Sequence, residues 1–158
     1  MRKTSILLLA TAIALMAVTA GAVDGPLPRS TCVVVEDGWI RMPPVPRPML
    51  AGFGRIANRC KGEQVVVAAH SPRFGEVSLH ETRVVDGVSR MREIDRLPLA
   101  PGAQAVLQPG GLHLMLMQPD AALAEGERVP LVLVLEDGHE ADAVLVVSRS
   151  APVPAAGR

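Results

Sequence analysis

The sequence contains no tyrosine, and its only aromatic residues are Trp39, Phe53 and Phe74. A platform that stacks nucleic-acid bases needs more aromatic surface than that. Charge of one sign is missing too, because 16 Lys and Arg face 16 Asp and Glu. The basic excess that neutralises phosphates is therefore absent, and nucleic acid is excluded as the expected partner. Several catalytic signatures are lacking: there is no G-x-S-x-G, no H-E-x-x-H and no Gly-rich phosphate loop. His80-Glu81 and His139-Glu140 both lack a second histidine four positions on. A Cys-His nucleophile would have to draw on Cys32 or Cys60, the only two cysteines. The chain does not read as an enzyme.

What is present is an apolar, turn-rich chain of 158 residues, 49% hydrophobic, with 14 Gly and 14 Pro. That is enough for one domain plus a targeting segment, and it argues against disorder. Residues 1–22 carry Arg2 and Lys3, then an apolar run from Ile6 to Val18, then Ala20-Gly21-Ala22. Charged start, apolar run of about 13 residues and small-x-small site together describe a cleaved signal peptide. The run is short for a membrane span of about 20 residues, and no later run is long enough to span either. No cysteine stands at the cleavage point, so a lipoprotein anchor is not expected. The mature product is expected to be exported, with 14 basic and 16 acidic residues. In an oxidising compartment an even cysteine count favours a Cys32–Cys60 disulfide; two free thiols or a redox pair are the alternatives. With no C-x-x-C, a thioredoxin-type role has little support. Antiparallel pairing of the runs next to these cysteines would also set Trp39 opposite Phe53.

Strand-like runs cover Cys32 to Met42, Met49 to Asn58, Gln64 to Ala69, Val77 to Val85 and Val88 to Ile94. Further runs cover Ala103 to Leu107, Leu112 to Met117, Val129 to Leu135 and Glu140 to Val147. Pro43 to Pro48 is a stiff loop that cannot join a ladder. Asp86-Gly87 and Asp137-Gly138 each sit between such runs and are strong hairpin signals. Ala121 to Glu127 reads as a turn or a single helical turn. Eight or nine short strands without a long helix predict an all-β sandwich or barrel over residues 31–148, followed by a flexible tail, 149–158.

Sulfur and imidazole cluster in this pattern. In Leu112 to Met117 (LHLMLM) the leucines share one strand face, and His113, Met115 and Met117 share the other. With Asp86-Gly87 as the turn, Val85 faces Val88, Thr82 faces Met91 and His80 faces Glu93. His80 and Met91 are then diagonal neighbours on the face opposite Val77 and Leu79, about 7–8 Å apart at Cα. The methionines could simply cover a second apolar face, but histidines stand among them. Two imidazoles and two thioethers make a soft, neutral donor set that favours Cu(I). Zinc more typically takes thiolates or carboxylates, and calcium or magnesium takes oxygen. A blue-copper centre would need a cysteine, and none lies near in sequence. Met117 is expected to pack beside the site; for Met42 and Met49, which flank the proline loop, packing in the core or the loop is the expectation and covering the site is the alternative. His70, His139, Glu81 and Glu93 are expected to be solvated.

The spacing His80-x10-Met91-x21-His113-x-Met115 resembles the H(M)-x10-M-x21-H-x-M motif of the periplasmic copper chaperones called PCuAC. The words LHET at 79–82, Met91-Arg92, PGGLHLMLM at 109–117, Trp39-Ile40-Arg41 and Ala51-Gly52-Phe53 are similar as well. The resemblance covers residues 36–147. It implies a cupredoxin-like β-sandwich in the periplasm with a Cu(I) site whose ligands are His80, Met91, His113 and Met115. It also implies delivery of copper to a cuproenzyme such as cytochrome c oxidase, with a Sco-type protein as a further partner. Some relatives hold a second copper on a Met/His-rich tail, and this tail has neither residue. Copper storage or resistance, and a metal-free exported interaction module, are the competing readings.

Overall fold

A computed structural model of the protein describes residues 26–152. The expected signal peptide, 1–22, and the last six residues lie outside the described residues. Ten strands follow in chain order: β1 (Val33–Arg41), β2 (Met49–Asn58), β3 (Gln64–His70), β4 (Phe74–Val85) and β5 (Val88–Glu93), then β6 (Leu97–Leu99), β7 (Gln104–Leu107), β8 (Leu112–Pro119), β9 (Arg128–Leu135) and β10 (Glu140–Ser148). Among the described residues there is no helix, so none long and apolar enough to cross a membrane.

The strands run side by side in the order β5-β4-β8-β7-β2-β1-β10-β9-β3-β6. A β3–β4 contact at Ala69 and Val77 closes this sheet into a barrel, leaving β5 and β6 as flanking edges. The fold is the all-β, cupredoxin-like architecture expected from the sequence. Strand β2 is shared lengthwise: Met49 to Gly52 pair with β8, and Gly54 to Ala57 pair with β7.

Period-two alternation builds the core. Val129, Leu131, Leu133 and Leu135 of β9 are almost fully buried, as are Leu114 and Leu116 of β8. Each such side chain contributes about 1.5–3 kcal/mol through burial. Trp39 stands opposite Phe53, with ring centroids 5.0 Å apart. Between Glu36 and Trp39 the β1–β2 register shifts, forming a bulge with Asp37 at φ 49°. Gly54 faces that bulge at φ 143°, where a Cβ would come within 2.9 Å of the Gly38 Cα, so no side chain fits.

One element is added to the sequence reading, and two expectations are met beside it. Leu97–Leu99 forms an additional strand, because Pro98 sits on a sheet edge where its missing N–H costs nothing. Residues 121–127 contain no helical turn. There Glu127 accepts the Ala124 N–H and pairs with Arg73, holding the turn that is the other expectation for this segment. Cys32 lies just before β1 and joins Cys60, just after β2, in a disulfide with Cα atoms 5.0 Å apart. Beside it, buried Asn58 donates to the Gly62 and Leu99 carbonyls and accepts the Cys60 N–H.

Candidate metal centre

Strand β4 lies between β5 and β8, and its alternation decides what the outer face offers. Val77 and Leu79 turn into the core, so Ser78, His80 and Thr82 turn outward. Asp86 and Gly87 both take positive φ, 53° and 77°, the combination a two-residue hairpin turn requires. That turn fixes the β4–β5 register: Thr82 faces Met91 and His80 faces Glu93, as the sequence predicts. On the other side of β4, His80 stands opposite His113 and Ser78 stands opposite Met115. His80 therefore lies at the centre. His113 is its direct cross-strand partner, Met91 is diagonal on β5, and Met115 is diagonal on β8.

The two imidazole rings have centroids 6.0 Å apart and are tilted by 33°. With metal–nitrogen bonds of about 2.0–2.1 Å, two rings sharing one ion cannot stand much more than about 6 Å apart between centroids. The observed spacing fits one ion held by both rings.

Hydrogen bonds assign the ring nitrogens. His113 Nδ1 lies 2.9 Å from the Gly111 carbonyl oxygen. A carbonyl only accepts, so Nδ1 carries the proton and Nε2 keeps a free lone pair. The same carbonyl accepts the Thr82 N–H at 3.0 Å, tying β4 to the start of β8. His80 Nε2 lies 3.0 Å from Ser78 Oγ, while its buried Nδ1 has no partner. A proton on Nδ1 would be a buried donor with nothing to bond, so the proton belongs on Nε2, donated to Ser78. His80 thus offers the Nδ1 lone pair and His113 the Nε2 lone pair. Metal-binding histidines are commonly oriented by such a bond from the opposite ring nitrogen.

Glu93 of β5, directly opposite His80, is an exposed carboxylate on this face. Glu81 pairs with Arg83 at 2.8 Å and Arg92 at 2.9 Å, and these guanidinium groups hold its carboxyl below the usual range. Among the described residues, no three His, Cys, Asp or Glu side chains converge as a metal-binding group. Apart from Glu93, the donors gathered on this face are imidazole and thioether, a set suited to a soft monovalent ion.

The other residues singled out in the sequence are distributed as follows. His70 pairs across to Val132, and His139 sits at the β9–β10 turn beside Asp137, both off this face. Met42 packs against the core. Met49 does not pack in the core or the loop. Leu50 takes the inward position, so Met49 points out, 48% exposed, directly opposite Met117. Ser78 was not legible as a functional residue, since a serine between two buried apolar residues carries no motif. A cavity of about 340 Å³ beneath Pro43 to Arg47 contains neither candidate histidine.

This architecture is the fold of solved PCuAC domains, which are cupredoxin-like. Among solved structures, the "Copper-bound PCuAC domain from PmoF2" shares the fold at a TM-score of 0.62 and 18% identity, over 80% of this chain and 100% of that one. "CuI-DR1885 from Deinococcus radiodurans" aligns at a TM-score of 0.59 and 25% identity, over 83% of this chain and 84% of that one. The chain belongs to the LpqE-like family, described as "Putative lipoprotein LpqE-like", whose profile matches residues 33–147. A curated relative, "Putative lipoprotein Lxx21020" of Leifsonia xyli subsp. xyli, is 34% identical over 149 residues, 87% of each chain.

Proposed function

We propose that this protein is an exported Cu(I) carrier that holds the ion with His80, Met91, His113 and Met115 and passes it to a cuproenzyme. One observation carries the reading: two histidines face each other with a free lone pair on each ring, flanked by thioethers on one strand face. The names of the structural relatives, which include copper-bound and Cu(I) forms, support the choice of metal. The lipoprotein description of the family supports an envelope location, and the 1–22 segment supports export to the periplasm. Cys32 and Cys60 are joined to each other, so neither has a free thiol to accept a lipid.

The donor chemistry fits carriage rather than catalysis. Thioethers hold Cu(I) without a proton to lose and are not consumed by disulfide formation. Met91 is 52% exposed, so one ligand is open to an incoming acceptor. Release would proceed by ligand exchange, with acceptor thiolates or imidazoles displacing thioethers one at a time. The acceptor we favour is a cytochrome oxidase copper site, reached directly or with a Sco-type protein.

The test is anaerobic Cu(I) titration against a competing chelator, followed by mixing the loaded protein with the apo copper domain of the oxidase. One tight equivalent that moves to the oxidase domain supports the reading. Tight binding without transfer would replace delivery with storage. No tight equivalent would remove the metal altogether.

Ser78→Ala removes the acceptor that fixes the His80 tautomer. Cu(I) affinity should fall by about 10–100-fold, the usual effect of losing a partner that orients a ligand. Nitrogen-15 chemical shifts of the His80 ring in the apo protein should show mixed tautomers. Unchanged affinity and an unchanged tautomer would show that Ser78 does not orient the ring.

A further inference from the structure

The donor face does not end at Met115. Two residues on along β8, Met117 emerges on the same face, and Met49 of β2 stands directly opposite it. Ala51 is the β2 residue opposite Met115, so a methyl group is all that β2 places beside that thioether. Met49 is also diagonal to Met115 across the β2–β8 ladder, within reach of a long flexible side chain. On the far side of Met117 stands Glu76 of β4, which is exposed. Three thioethers from two adjacent strands therefore border one stretch of outer surface, next to the histidine pair.

We propose that Met49, Met115 and Met117 form a second position for a soft monovalent ion, Cu(I) or Ag(I), adjoining the His80–His113 position. The inference rests on the first position being a soft-metal site, because Met115 belongs to both ligand sets. Thioethers are soft and carry no charge, so three of them select Cu(I) or Ag(I) over the hard divalent ions. The second position lacks imidazole and is the weaker of the two. Sharing Met115 allows an ion to move between positions by exchanging one ligand at a time, without changing oxidation state. The exposed Met49 places this second position toward β2, on the opposite side of β8 from the β4–β5 hairpin.

The experiment is a titration with Ag(I), which does not oxidise in air, of protein labelled with carbon-13 at the methionine methyls. The first equivalent should shift Met91 and Met115, and the second should shift Met49 and Met117. In Met117→Leu, a swap of similar volume, the second phase should disappear and the first should remain. In His113→Ala the first phase should disappear, while Met49, Met115 and Met117 still respond. If Met49 and Met117 stay unmoved through about three equivalents while Met91 and Met115 respond, the second position does not exist. A second phase that survives both Met49→Leu and Met117→Leu would overturn the assignment equally. If Met49 and Met117 respond but Met91 never does, the four-ligand reading fails and the thioether position stands alone.

Discussion

Replacing His113 with alanine should lower Cu(I) affinity by more than about 100-fold, because it removes a proposed ligand itself rather than a group that orients one. The histidine is the more constrained of the pair. Its Nδ1 proton is committed to the Gly111 carbonyl, so Nε2 is presented in one orientation. No neighbouring group can take its place, since the residue across the ladder is His80 and the flanking residues Leu112 and Leu114 turn toward the interior. The fold should survive. His113 is on the outer face, and the Gly111 carbonyl keeps the Thr82 N–H as a donor. Thermal unfolding of the apo variant should thus stay close to wild type while the tight equivalent is lost. Met91→Leu should cost less, because Met91 is half-exposed and solvent or another thioether can fill its position. Chelator competition on the two variants side by side reads both effects. If His113→Ala keeps affinity within about threefold of wild type, His113 is not a ligand.

Much of this face was legible because local signals dictate it. Asp86-Gly87 sets the β4–β5 register, which places Met91 diagonal to His80 without any tertiary information. The alternation in LHLMLM separates Leu114 and Leu116 from His113 and Met115 in the same local way. The β4–β8 pairing is different. His80 and His113 are separated by a hairpin, β6 and β7, and only the closed order of the barrel puts them opposite one another. Residue spacing alone could show that the motif was present but not that the two rings face. Met49 was misplaced for a related reason. It directly follows the proline-rich run ending at Pro48, which points to a loop, yet pairing of β2 with β8 carries it onto the donor face. The Trp39–Phe53 pair was legible through the cysteine pairing, although the bulge at Asp37 adds a one-residue shift between Val33 and Trp39 that no local pattern marks. Ser78 and Asn58 escaped because their roles depend on a ring nitrogen and on carbonyls that only the fold brings near.

Converting both cysteines to alanine should destabilise the protein by about 3–4 kcal/mol through the entropy of the freed chain, and leave the metal face intact. The bridge closes a loop with a sequence separation of 28, spanning β1, the proline loop and β2. Without it the unfolded chain gains freedom that folding must overcome, and the loss grows slowly with loop length. The native state also loses an anchor where local hydrogen bonds already converge. Arg59 donates its N–H to the Cys32 carbonyl at 2.7 Å, and Asn58 holds the Cys60 N–H at 2.9 Å. These bonds keep the ends of β1 and β2 aligned, so the double variant should still fold at room temperature. Denaturant unfolding should show a lower midpoint with little change in cooperativity. Cu(I) affinity should stay near wild type, because β4, β5 and β8 carry the four proposed donors and the disulfide joins the ends of β1 and β2. A large loss of affinity at temperatures where the variant is folded would show instead that the bridge braces the donor face. An unchanged denaturation midpoint would show that the hydrogen bonds around Asn58 already hold that end of the barrel.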